Sequence, residues 1–311
     1  MATVNGTVVG FIGLIPGLFH AFGKTVTGVY PTAWLVHPDY RATGLGPQMI
    51  RRIMARFPMV VGTAARPKAQ AVLKALGYRY LHDIPRWVGV LEPTGASQLC
   101  LGEEREIRQT MAGRKIRLRH NQGNLKCLEG FSAFETPMDD LWSRLVSRMA
   151  VSASRGSAYM NWRYVRHPVF QYRYTVLGSP SRWEGVAVHR VEQVEGRSVR
   201  VMRLMEFLAE EHAQSALATA IVEDGLATGC ALADFHGLGE HAVSGLIDVG
   251  FFQHHEEPAI QIPYRFNPLN HRPNQNFYAW SALRNEYGLS PTSYLNLWYL
   301  SRGESDQERP T

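Results

Sequence analysis

Six consecutive residues, Arg41-Ala42-Thr43-Gly44-Leu45-Gly46, have the types and spacing to hold an anion. Glycines three and five positions after an arginine let the backbone turn tightly, so that consecutive N–H groups can face one ligand. A helix starting at that point adds the attraction of its dipole. Such a pair of glycines also occurs in plain tight turns, and the flanking elements therefore decide what the loop can do.

Those flanks form a strand, a turn and a helix. TAWLV, residues 32–36, is β-branched and aromatic, HPDYR is turn-like, and GPQMIRRIMARF places Met49, Ile50, Ile53, Met54 and Phe57 on one helical face. Pro47 suits a first helical turn. The spacing differs from a phosphate-binding loop of the Lys-Ser/Thr type, because no such pair follows Gly46, and from the dinucleotide pattern G-x-G-x-x-G.

R-x-x-G-x-G between a strand and a helix resembles the acyl-CoA signature of the GNAT superfamily of N-acetyltransferases. The segments that follow fit the same family: FPMVVGT as a strand, PKAQAVLKALGY as a helix with Ala69, Val72, Leu73 and Leu76 on one face, and RYLHDIPRWVGVLEP as closing strands. The resemblance implies acetyl-CoA or another acyl-CoA as co-substrate and no metal. It places Leu35, Val36, Arg41, Ala42, Thr43, Gly44, Leu45 and Gly46 around the pyrophosphate and pantetheine.

The chain carries a second copy of this design about 173 residues on, with Leu73 falling on Leu246, Gly77 on Gly250, Tyr78 on Phe251 and TAWLV on MEFLA. Gly10 falls close to Gly185. The fold class expected is α/β (α+β), as two tandem GNAT-like domains, each a mixed, mostly antiparallel sheet flanked by helices. The boundaries drawn are residues 1–95 for the first unit, 96–123 for a linker, 124–266 for the second unit and 267–311 for an aromatic-rich tail. The first unit begins at its second strand, without the elements that usually wall the acceptor site. Residues missing upstream, the second unit, the tail or another subunit are the alternatives for that wall. The second unit has LKCLEGFSAF as a strand and MDDLWSRLVSRM as a helix, but reads AEEHAQSALATA where the cofactor loop should be. Glu210 and Glu211 there oppose a pyrophosphate, so the acyl-CoA belongs in the first unit.

The run MNWRYVRHPVFQYRY resembles a segment of tandem acetyltransferase-like proteins from bacterial polysaccharide and cell-envelope loci, and NLWYLSRGESD resembles their closing segment. Trp162, Arg163, Tyr164 and His167 could line a sugar pocket, or could pack a core. Acyl transfer needs a base for the amine, a donor on the thioester carbonyl and an acid for the thiolate. The family often supplies the acid as a tyrosine four residues before the helix-ending glycine, where this chain has Leu73 and Leu246. Glu206, Asp234 and His236, on two strands of the second copy, are the candidate bases.

Composition bounds the rest. A net charge of +6 suits an anionic partner such as CoA. The densest basic stretch, RKIRLRHNQGNLK, lacks the aromatics that would stack bases, which disfavours nucleic acid. Cys100, Cys127 and Cys230 are too few and scattered for a disulfide framework or a four-ligand zinc site. No run is long enough to span a bilayer, and a reducing cytoplasm is the expected compartment. The expected activity is N-acyl transfer, most simply acetyl transfer, to an amino sugar or other small polar amine. A homo-oligomer stays open. The alternatives are a degenerate acyl-CoA-binding or scaffold protein, and a Fem-like transferase that uses charged tRNA.

Overall fold

The computed structural model describes residues 1–62, 65, 67–116, 118, 127–128, 131–239, 243–271, 278–281 and 296–304. The first half contains β1 (Ala2–Val4), β2 (Thr7–Ala21), β3 (Lys24–Val36), α1 (Leu45–Arg56), β4 (Met59–Gly62), α2 (Pro67–Ala75) and β5 (Arg79–Asp83). After it come β6 (Arg86–Val90), α3 (Pro93–Ser97) and α4 (Glu104–Gly113). The second half contains α5 (Thr136–Val146), β7 (Val151–Ala153), α6 (Ser157–Met160), β8 (Arg173–Ser179), β9 (Arg182–Gln193), β10 (Arg200–Ala209), α7 (Gln214–Ala227), β11 (Cys230–Leu238), α8 (Ser244–Asp248) and β12 (Phe252–Gln253). The C-terminal part adds β13 (Arg265–Phe266), β14 (Leu269–Asn270), β15 (Tyr278–Ser281) and β16 (Trp298–Ser301).

One mixed sheet runs through both halves in the order β5-β15-β4-β3-β2-β7-β16-β11-β10-β9-β8, with β1 beside β2 and β6 between β11 and β12. The internal repeat appears in its registers. Gly10 pairs with Val36 in the first half, and Gly185 pairs with Ala209 in the second. The parallel pair β3/β4 ends at Val29 opposite Val60, and the parallel pair β10/β11 ends at Leu204 opposite Phe235. Each long strand carries a bulge before its end, where the register shifts opposite Phe11 to Gly13 in β3 and between Leu204 and Glu206 in β10. In β3 the bulge holds Ala33 at a φ of 47°, a left-handed conformation uncommon for a residue with a Cβ.

The halves interlock. β6 pairs with β11 and β12 of the second half, while β15 pairs with β4 and β5 of the first. Strand pairing therefore crosses the sequence boundaries at residues 95 and 267. The described residues of LKCLEGFSAF, 127–128 and 131–134, do not form the expected strand. Among its described residues Cys127 makes one isolated bridge to Leu177, and residues 131–135 carry no regular structure. Most of the basic stretch from Arg114 lies outside the described residues, but Arg114 itself pairs with Glu256 at 3.1 Å and Glu257 at 2.6 Å.

The helices of the first half cover one face of the sheet, where Ile50 and Ile53 of α1 and Leu73 of α2 pack with Ile12, Val29, Val60 and Tyr78. On the other face Phe19, Tyr30 and Met59 pack with Trp298 and Leu300 of β16. Phe11, Leu14 and Leu18 of β2 stay exposed. On its outer edge β2 pairs with β1 at Gly10 and with β7 from Phe19 onward, and the segment between contains Pro16, which has no N–H to offer a further strand.

Candidate functional site

The six residues of the glycine loop lie at the end of β3. Pro38–Thr43 forms a short 3-10 helix, and Gly44, at a φ of 77°, ends that helix and starts α1. A Cβ at Gly44 would meet nothing within 4 Å, so backbone conformation rather than crowding calls for glycine there. Gly46 has the other reason: a Cβ would come within 3.1 Å of the Trp34 indole, on which the helix rests. Arg41 Nε donates to the Val36 carbonyl at 3.1 Å, and Thr43 Oγ1 donates to the Tyr40 carbonyl at 2.8 Å. These bonds tie the loop to the strand end.

The first turn of α1 has neither a side-chain cap nor an acidic residue. Its leading N–H groups have no intrahelical partner, the arrangement that favours a phosphate. Asp39, the nearest acid in sequence, lies 3.6 Å from His37. The adjoining strand edge is also available. His37 N–H donates to the Val9 carbonyl, so by the alternation of an antiparallel ladder Val36 turns its own N–H away from β2, toward the gap where β3 and β4 part. Leu35 beside it is 63% exposed. Among the described residues no strand enters that gap. An uncapped helix start and an unpaired strand edge fit the pyrophosphate and the amide-bearing arm of an acyl-CoA.

The corresponding place in the second half is partly filled. β16 enters where β10 and β11 part, pairing with β11 at Gly237 and Leu238. The Phe207 N–H, facing the gap, donates to the Tyr299 hydroxyl at 3.2 Å. Glu206 is fully buried, and four groups donate to it: Arg155 Nε at 2.9 Å, Tyr164 at 2.6 Å, Tyr299 at 2.7 Å and Ser301 Oγ at 3.0 Å. Arg155 also reaches Glu304 at 3.1 Å, and Glu304 accepts from Tyr30 of β3 at 3.2 Å. Burial lifts the Glu304 carboxyl above its ordinary value, with Arg155 pulling it back. Gly303 leaves no room for a Cβ, which would sit 2.1 Å from the Tyr164 hydroxyl. The start of α7 is covered as well, since Gly245 of α8 packs on the Gln214 backbone and its N–H donates to Gln214 Oε1 at 3.3 Å. Glu210 is held by Arg144 at 2.6 Å and Arg148 at 3.6 Å.

The other residues singled out in the sequence fall in separate places. Asp234 is buried between Arg86 at 3.0 Å and Arg203 at 3.4 Å. Burial would raise its carboxyl, but the two guanidiniums outweigh that and hold it below the usual carboxylate range. His236, 3.7 Å from Asp234, is pushed by burial down to about 4. Trp162, Arg163 and Tyr164 share a short helical turn, with His167 just beyond it, and their side chains go to different surroundings. Trp162 is 54% exposed, Arg163 Nε donates to the Gly303 carbonyl at 3.0 Å, and Tyr164 is core. His167 Nδ1 accepts from the Val169 and Phe170 N–H groups at 3.2 and 3.0 Å. Leu73 and Leu246 are both buried. Tyr78 has a buried hydroxyl with no hydrogen-bond partner among the described residues, and burial pushes its phenol well above the ordinary value. Among the described residues no cluster of three His, Cys, Asp or Glu is placed to hold a metal, and no helix is long and apolar enough to cross a membrane.

No family model and no curated protein sequence matches the chain. Its structure is similar to a GCN5-related N-acetyltransferase from Anabaena variabilis, with a TM-score of 0.57, 11% identity, and coverage of 90% of this chain and 61% of that one. It is similar to Saccharomyces cerevisiae N-myristoyltransferase with bound myristoyl-CoA and inhibitors, with a TM-score of 0.52, 13% identity, and coverage of 97% and 71%. A third structure, a protein of unknown function and probable N-acyltransferase from Enterococcus faecalis, gives a TM-score of 0.53 at 9% identity, covering 89% and 59%. The chain thus spans between 59% and 71% of the length of these proteins. At such identities the likeness shows the fold alone: a large mixed sheet flanked by helices, as in these acyltransferase structures.

Proposed function

We propose that this chain is an N-acyltransferase that takes its acyl group from an acyl-CoA held by the first half. The observation that carries the reading is the pairing of an uncapped helix start at Gly44–Gly46 with an unpaired strand edge at Val36. The neighbouring structures support it, since their names include N-acetyl and N-myristoyl transfer. Bound there, an acyl-CoA supplies an activated thioester that an amine can attack. The chain's part is to seat the pyrophosphate on the N–H groups of Leu45 and Gly46, with Arg41 clamping the loop. The Val36 N–H is directed to where it can donate to the amide-bearing arm or to the carbonyl that gains charge in the transition state. The acceptor we infer is an amino sugar or other small polar amine in the cytoplasm, on the resemblance of the MNWRYVRHP run to envelope-locus transferases.

A second reading, a binding protein without turnover, is favoured by one observation: a leucine stands in both copies where the family often has its tyrosine. Calorimetry with CoA, acetyl-CoA and longer acyl-CoAs tests the shared part. We expect one saturable site, weakened about tenfold or more in Gly44→Asp, which sets a carboxylate against the pyrophosphate and strains a left-handed position. Absence of CoA binding would sink both readings, and turnover with any member of an amine panel would remove the second.

A further inference from the structure

The second half contains a cavity of about 320 Å³ that the proposed transfer leaves unused. Its walls are Leu145 and Met149 at the end of α5 and Phe207 and Leu208 of β10, with Tyr299 beside them and Arg148 among its lining. At about 30 Å³ for each water-sized group, it holds a ligand of about ten non-hydrogen atoms.

Two donors on one side of this apolar space define its chemistry. Arg148 is 57% exposed and makes only a 3.6 Å contact with Glu210, whose other oxygen is taken by Arg144 at 2.6 Å. Its guanidinium therefore keeps N–H groups for a ligand anion. Ala209 also lines the cavity, and lies two residues beyond Phe207, whose N–H already faces away from β9 to Tyr299. Alternation along the strand turns the Ala209 N–H to the same side. Glu211, in the lining but exposed on its turn, is screened by water and offsets part of the attraction. A nucleotide is kept out by β16 and by α8 on the start of α7.

The cavity is remote from the glycine loop. Through the pairings across the sheet, β3, β7 and β16 run one way and β10 and β11 the other, so the two strand ends open at opposite edges. The four strand spacings from β3 to β11, of about 4.8 Å each, add about 20 Å of lateral separation. We propose that this cavity is a second ligand site, separate from the acyl-CoA site, for a small carboxylate with an apolar body. The carboxylate sits on Arg148 and the Ala209 N–H, and the body lies between Met149 and Phe207.

Calorimetric titration of the full chain with octanoate tests this, with acetate and octanol as controls and each titration repeated at saturating CoA. We expect one-to-one octanoate binding, much weaker binding of octanol and acetate, and no displacement by CoA. Arg148→Ala should weaken octanoate tenfold or more, and Ser244→Phe, a change at an exposed position in the lining, should block it. No saturable binding at millimolar octanoate, displacement by CoA, octanol binding as tightly as octanoate, or an Arg148→Ala variant that binds like the wild type would each overturn the proposal.

Discussion

The two halves build the same strand-end gap and treat it in opposite ways. In the first, β3 parts from β4 after Val29, and the Val36 edge and the start of α1 face the gap without a described partner. In the second, β10 parts from β11 after Leu204, and β16 enters the space, so that a tyrosine hydroxyl meets the Phe207 N–H. The second half thus differs in three ways: it has no glycine turn before α7, β16 is inserted in the gap, and α8 packs on the start of α7. With the Glu206 network, the inserted β16 makes this place a structural joint.

Breaking that joint should have the largest effect. Arg155→Met leaves Glu206 and Glu304 buried without their shared cation, and removing one partner of a buried pair costs about 3–5 kcal/mol. We expect the thermal midpoint to fall by about 5–8 °C, with one CoA still bound below it. A variant as stable as the wild type would show that the Glu206 network does not hold β16 in the gap.

Acidification acts on the same joint through His236 of β11. Its folded value of about 4 lies below the ordinary 6.5, so between these values the unfolded chain binds more protons and stability falls as pH drops. The loss should begin near pH 6.5, run at up to about 1.4 kcal/mol per pH unit and level off near pH 4. Denaturant midpoints across that range read it, and a flat profile contradicts a neutral buried imidazole.

Tyr299→Phe is a smaller change. It leaves the Phe207 N–H and one Glu206 oxygen short of a partner, at a cost of about 1–3 kcal/mol. The CoA stoichiometry should stay at one. A second equivalent would show that the hydroxyl alone excludes the nucleotide.

The smallest effect is expected at Tyr78→Phe in the first half. Removing a buried hydroxyl with no described partner should leave the thermal midpoint unchanged or raise it by the equivalent of about 1 kcal/mol. A clear loss of stability would reveal a partner for that phenol.

Much of the fold was legible locally. The apolar spacing of α1, the β-branched strand before it and the glycine loop between them are short-range patterns, and each falls where its residues suggested. The repeat was legible too, and its TAWLV and MEFLA strands take equivalent registers against Gly10 and Gly185. Strand partners were not. RYLHDIPRWVGVLEP reads as closing strands of the first unit, yet Arg86–Val90 pairs across the molecule with Leu232–His236. An apolar strand gives no sign of which edge it will join.

The site divides along the same line. Residue types alone marked the glycine turn before α1, because left-handed backbone at Gly44 and close approach at Gly46 are demands that glycine meets by itself. Only the tertiary structure decided what Glu206 does. Arg155, Tyr164, Tyr299, Ser301 and Glu304 converge on it or on one another from segments far apart in the chain, and no spacing in the sequence records that meeting.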